Sequence, residues 1–96
     1  MTEEDITSMR LRIEGSVQAV GYRYFAMEEA RKLSLDGWIR NRSDGTVEAL
    51  VSGPTKSVEA FVAACARGPD GSRVKSIDLH NAEPPEEKGF HRRPSL

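Results

Sequence analysis

A single cysteine, Cys65, stands among 96 residues, so the chain forms neither an internal disulfide nor a thiolate metal cage. Long apolar runs are missing too: no stretch approaches the roughly 20 residues of a membrane span, and none has the core of a signal peptide. Charge of one sign is also lacking. Fourteen Lys and Arg against fifteen Asp and Glu leave a formal charge of −1, too weak a field to gather nucleic acid or an anionic membrane. Together these absences point to a reducing, cytoplasmic setting and name no polyanionic partner. The length suits one domain, since single domains commonly run about 50 to 200 residues. The acidic, polar opening through Ser8 reads as a flexible N-terminal arm, residues 1–8, ahead of a single domain over 9–96.

What is present is a change of hydrophobic period. Met9, Leu11 and Ile13 alternate with Arg10 and Arg12, the pattern of a strand with one buried face. From Tyr22 the period becomes helical: Phe25, Ala26, Ala30 and Leu33 share a face, and charged residues hold the other to about Ser34. Trp38 to Asn41 reads as a short strand, Ser43-Asp44-Gly45 as a turn, and Val47, Ala49 and Val51 as the inner face of the returning strand. Gly53-Pro54 breaks that strand. Val58, Phe61, Val62 and Cys65 then mark a second helix, with Thr55 as its expected N-cap and Gly68-Pro69 as its end. A fourth strand spans about Arg73 to His80, and Val74, out of phase with Ile77 and Leu79, predicts a bulge or a later strand start. Phe90 to Arg93 adds a short edge strand that Pro94 closes. The order βαββαβ predicts a ferredoxin-like α+β sandwich, an antiparallel sheet with two helices on one face.

In that arrangement the right-handed crossover makes the first two strands parallel, with one strand between them, so their C-terminal ends share an edge. Gly15 to Arg23 and Asn41 therefore meet there. The leading N–H groups of the first helix have no carbonyl partners inside it. A loop of small residues lets successive N–H groups turn inward, and the helix dipole adds positive character, so the junction favours a phosphate-sized anion. Arg23, planar and permanently charged, bonds two phosphoryl oxygens at once. On spacing alone an ordinary strand-to-helix turn with a water-facing arginine stays ahead of an anion site, and what weighs against it is that a cation at a helix N-terminus opposes the dipole unless an anion is present.

At these residues the chain resembles the acylphosphatase family. The family's phosphate loop has the form G-x-V-Q-G-V-x-[FY]-R, and residues 15–23 read GSVQAVGYR; a second motif, glycine-aromatic-aliphatic-basic-Asn and a later Gly-x-Val, appears in GWIRNRSDGTVEALVSG from Gly37 to Gly53. The likeness runs over about residues 9–93. It departs at one place, where Ala19 replaces the central loop glycine; a positive φ there raises the energy by about 1 kcal/mol. The resemblance implies hydrolysis of the carboxyl-phosphate bond of acyl phosphates to a carboxylate and inorganic phosphate, without metal, cofactor or phosphoenzyme. Carried over by position, Arg23 and the loop Ser16, Val17, Gln18, Ala19, Val20, Gly21 and Tyr22 would bind the phosphoryl group, and Asn41 would orient the attacking water. Inorganic phosphate or sulfate would bind as a product-like ligand, and the protein would act as a monomer.

The remaining residues fit blander roles. His80 and His91 lie away from both motifs and read as solvated strand residues, and Cys65 as a small core residue. Arg40 and Arg42, flanking Asn41, either draw anions to the edge or simply face water. Gln18 is expected to support the loop, with Tyr22 packed beneath it. Among other functions for this fold, RNA recognition lacks its aromatics on TVEALVSG, and a metallochaperone lacks its Cys-x-x-Cys pair. The surviving rival is a non-catalytic, anion-binding regulatory domain.

Overall fold

A computed structural model describes residues 5–96. Five strands and two helices follow in the order β1 (Ile6–Ser16), α1 (Tyr22–Lys32), β2 (Asp36–Asn41), β3 (Val47–Pro54), α2 (Thr55–Arg67), β4 (Arg73–Asn81) and β5 (Phe90–Arg92). The sheet order is β4-β1-β3-β2-β5, the expected ferredoxin-like arrangement with β1 and β2 on either side of β3. All pairings are antiparallel except the last, where β5 runs parallel to β2, so the sheet is mixed rather than purely antiparallel. Both helices pack against one face. Leu11, Ile13, Ile39, Val47, Ala49 and Val51 from the strands meet Tyr22, Ala26 and Ala30 of α1 and Val58, Phe61 and Cys65 of α2. Phe90 closes the β5 side, its ring 5.7 Å from that of Phe61.

Three boundaries differ from expectation. β1 begins at Ile6, so residues 6–8 of the expected arm belong to the sheet and residues 1–4 lie outside the described residues. The reason is polar: Thr7 Oγ1 pairs with Thr55 Oγ1 at 2.6 Å and Ser8 Oγ with Ser52 Oγ at 2.7 Å, contacts that leave no hydrophobic period to read. Thr55 accordingly is not the N-cap of α2. Pro54 holds that position, and Thr55, the first helical residue, turns its N–H and hydroxyl to Asp5 O. Helix α1 ends at Lys32, because Ser34 takes a left-handed φ of 56° and Leu35 N donates back to Ala30 O.

The bulge expected near Val74 is present: the β1–β4 register shifts between Glu14 and Gly15, whose partners are Ser76 and Val74. Gly15 there has φ 132°, and a Cβ at that position would sit 2.0 Å from Arg73 O. Only glycine lets the two backbones approach so closely. The bend carries the chain out of the sheet into the loop ahead of α1. Val47 pairs with Ile13 on one side and Asn41 on the other, so the ends of β1 and β2 stand in one row across the sheet.

Candidate active site

The loop from Val17 to Gly21 is shaped by two left-handed residues, Ala19 at φ 63° and Gly21 at φ 74°, with Val20 between them on the negative side. Alternation of this kind turns successive N–H groups to one side as an anion nest. Gly21 is the N-cap of α1, with no side chain capping the helix and no acidic residue in its first turn. The first amide to find a carbonyl belongs to Phe25, which donates to Gly21 O at 3.0 Å. Among the described residues, none of the N–H groups from Gln18 to Tyr24 meets a protein acceptor. Seven donors thus stand without a protein acceptor in the loop and the first turn of α1.

The loop is anchored from below. Gln18 Nε2 donates to Arg42 O at 2.8 Å and to Thr46 O at 2.9 Å, joining it to the turn after β2. Tyr22 is buried, and its hydroxyl donates to Cys65 O at 2.7 Å. Burial raises the pKa of that phenol and lifts the Cys65 thiol to about 12, so both groups stay neutral and structural.

Above the anchors lies a cleft of about 130 Å³ lined by Val17, Ala19, Gly21, Tyr22, Arg23, Tyr24, Asn41 and Arg92. Arg23, half-buried, has no carboxylate within ion-pair distance among the described residues; burial lowers its pKa, and the charge of Arg92 adds to the effect. Asn41 Oδ1 is buried without a hydrogen-bond partner. A buried carbonyl left unpaired typically destabilises by about 1–3 kcal/mol, and water or a ligand relieves that cost. Arg23, Asn41 and the loop residues Val17, Ala19 and Gly21 therefore line one cleft, with the Asn41 Oδ1 buried and unpaired beside it.

A family model described as Acylphosphatase matches residues 9–92. The chain belongs to the acylphosphatase family. An acylphosphatase of Rhodospirillum rubrum is 46% identical over 89 residues, 93% of this chain and 98% of that protein. One from Rhizorhabdus wittichii is 42% identical over 92 residues, 96% and 93% of the two chains. The crystal structure of acylphosphatase from Bacillus subtilis is similar at a TM-score of 0.85 and 37% identity, over 93% of this chain and 99% of that one.

Within this acylphosphatase fold, the expected residues divide. Val17, Ala19, Gly21, Tyr22, Arg23 and Asn41 line the cleft, whereas Ser16, Gln18 and Val20 do not. Ser16 is the last residue of β1, paired with Arg73; Gln18 points to the β2–β3 turn, and Val20 packs on the core. Arg40 and Arg42 do not serve the cleft either. Both donate to Glu48 Oε1, at 2.7 and 3.1 Å, on the sheet face away from the helices. Arg92 was not among the expected residues. Its signal was its spacing: two residues after the buried Phe90 on β5, it faces the helix side of the sheet, where an edge strand has no need of a cation.

A larger cleft, about 570 Å³, lies elsewhere, between Trp38 and the 83–87 segment. Its lining sets Glu83, Glu86 and Glu87 against His91, Arg92 and Arg93, and Trp38 is already flanked by the guanidinium groups of Arg40 and Arg93 at 4.9 and 4.8 Å. Among the described residues no three His, Cys, Asp or Glu side chains cluster as metal ligands, and no helix is long and apolar enough to cross a membrane.

Proposed function

We propose that the protein hydrolyses acyl phosphates in the cleft between the 17–21 loop and the end of β2. The observation that carries this reading is the convergence there of open backbone donors, Arg23 and the unpaired Oδ1 of Asn41. Loop N–H groups and the Arg23 guanidinium hold the three phosphoryl oxygens. Asn41 Oδ1 accepts a hydrogen bond from water and aims its oxygen at phosphorus. As the new P–O bond forms, the bond from phosphorus to the acyl oxygen breaks, and its electron pair leaves on the carboxylate. The two protons of the water end on phosphate oxygens, giving a carboxylate and dihydrogen phosphate from a doubly charged acyl phosphate and water.

A carboxylate leaves readily, so the protein's task is positioning and charge stabilisation rather than nucleophilic activation. Neither a cofactor nor a phosphoenzyme is required for that step. The name shared by the relatives favours turnover over the rival reading of a purely anion-binding regulatory domain. Cytoplasmic location and a monomeric state belong to the same proposal, supported by the lone buried cysteine and the small domain.

The test is phosphate release from acetyl or benzoyl phosphate, with inorganic phosphate, or sulfate in its place, added as a competitor. Turnover with competitive inhibition is expected. Saturable phosphate binding with no release above the uncatalysed rate would mean a sensor instead.

A further inference from the structure

Arg23 and Arg92 border a second, more open cleft of about 340 Å³, whose remaining walls are Arg93, Pro94 and Ser95. The phosphate cleft and this one share two lining residues, Arg23 and Arg92, so the second cleft adjoins the first at those side chains. A phosphoryl group seated in the loop leaves the acyl part of the mixed anhydride only open directions, and the adjoining cleft is one of them. No acidic side chain lines it, and neither Arg92 nor Arg93 lies within ion-pair distance of a carboxylate among the described residues.

The position of Arg92 is fixed by the sheet. It pairs in parallel register with Ile39 of β2, Arg93 N donates to Ile39 O at 2.9 Å, and Leu96 N donates to Asn41 O at 3.0 Å. The residues after β5 therefore run beside β2 to the level of Asn41. Two like charges held at one groove, with no acid between them, repel until an anion joins them. Arg23 feels such repulsion from Arg92, after the larger effect of its own burial. A phosphoryl group alone is matched by the loop and Arg23; Arg92 and Arg93 supply cations beyond it.

We infer that the groove lined by Arg92 and Arg93 is an acyl-side subsite that selects acyl phosphates whose acyl portion carries a second anionic group, a carboxylate or a phosphate. The inference rests on the hydrolase reading above. Arg92 would bond the distal anion directly, and Arg93, partly engaged on the Trp38 ring, would add a weaker attraction. The ring also holds the Arg93 stem in place.

Hydrolysis of succinyl phosphate, which bears a distal carboxylate, is compared with that of acetyl phosphate, which has none. The wild-type protein should favour succinyl phosphate in kcat/KM by about tenfold at low ionic strength, the scale of one charge-assisted hydrogen bond at a part-exposed site. The preference should shrink as salt is raised. Arg92→Gln should bring the ratio close to one, Arg93→Gln should lower it by less, and Arg92→Lys should restore part of it. Circular dichroism of each variant verifies the fold. Hydrolysis of both acyl phosphates by the wild type with a ratio near one, or a ratio that Arg92→Gln leaves intact, overturns the subsite and spares the hydrolase. Failure to hydrolyse either acyl phosphate overturns the hydrolase reading and this inference with it.

Discussion

Strand β2 and the residue after it carry Arg40 and Arg42 on one face of the sheet and Asn41 on the other, and the two faces treat charge in opposite ways. On the face away from the helices, Glu48 of β3 gathers Arg40, Arg42 and, at 4.0 Å, Arg10, while Arg12 meets Glu14, Asp44 and Asp78. On the helix face, Arg23 and Arg92 share a cleft with open N–H groups and an unpaired carbonyl oxygen. A sheet that can saturate one arginine with acids leaves another unsatisfied a few residues away. Paired charge holds the turn and the strands; unpaired charge is kept for a ligand.

The strongest way to break this comparison is to remove the unpaired cation. Arg23→Gln should lower kcat/KM for an acyl phosphate by about two orders of magnitude or more, the usual scale for one transition-state donor. Its melting temperature should hold or rise, because no ion pair is lost and repulsion by Arg92 is relieved. Turnover near the wild-type value would show that Arg23 does not bind the reacting group. A large fall in melting temperature would place it among the structural arginines.

Asn41→Ala tests the other half of the cleft. With water as its proposed partner, kcat should fall by roughly tenfold to a hundredfold, while the inhibition constant of inorganic phosphate changes far less. Stability should not suffer, since an orphan buried acceptor is removed. Equal collapse of kcat and phosphate affinity would mean that Asn41 holds the phosphoryl group itself.

On the paired face the same operation should do the reverse. Burial works against the charge of Glu48, but Arg40 and then Arg42 outweigh it, leaving the carboxyl below its usual range. Asp44, bonded by the hydroxyl and N–H of Thr46 and then by Arg12, is lowered to about 2. A carboxyl depressed in the folded state stabilises above its unfolded pKa, and that contribution is lost as pH falls through the folded value. Melting temperature should therefore decline as pH drops from about 5 to about 2. Glu48→Gln should destabilise by about 2 kcal/mol at neutral pH, leaving cations without their acid. It should also flatten part of the acid decline, and kcat/KM of the folded variant should be retained. An unchanged melting temperature would mean that the Glu48 cluster is ornamental.

The two faces were not equally legible in the sequence. Hydrophobic period located both helices and the strands other than β5, and the phase slip at Val74 narrowed the start of β4 to a bulge or a late strand start, because apolar burial repeats with backbone geometry. Arg23 and Asn41 were legible because a recognisable spacing marks them and the right-handed crossover brings their strand ends together. Pairing was not. Whether Arg40 and Arg42 serve a substrate depends on Glu48, which looks like any polar residue between Val47 and Ala49 until the strand proves central and covered on both sides. The start of β1 escaped because Thr7 and Ser8 pair through hydroxyls. Three residues of β5 hold too little period to reveal a parallel pairing, and with it went the placing of Arg92. A nest also reads in sequence as a run of residues, whereas in space Ser16, Gln18 and Val20 turn their side chains elsewhere.

The loop itself carries the smallest and most local contrast, between two neighbours of like conformation and unlike identity. Ala19 and Gly21 both have φ near 70°, but only glycine occupies that region without strain. For a residue with a Cβ the left-handed region is unfavourable by about 1–2 kcal/mol, offset in part by glycine's greater freedom when unfolded. Ala19→Gly should therefore stabilise by up to about 1 kcal/mol, a few degrees in a domain of this size. Gly21→Ala should destabilise by a similar amount, since a Cβ there would meet no atom within 4 Å and the whole effect is conformational. Denaturation midpoints measured on the two variants and their double give equal and opposite shifts that cancel in the double. Two shifts of the same sign would show that the loop relaxes when its composition changes. The anion nest would then be assembled by the ligand and not held ready by the chain.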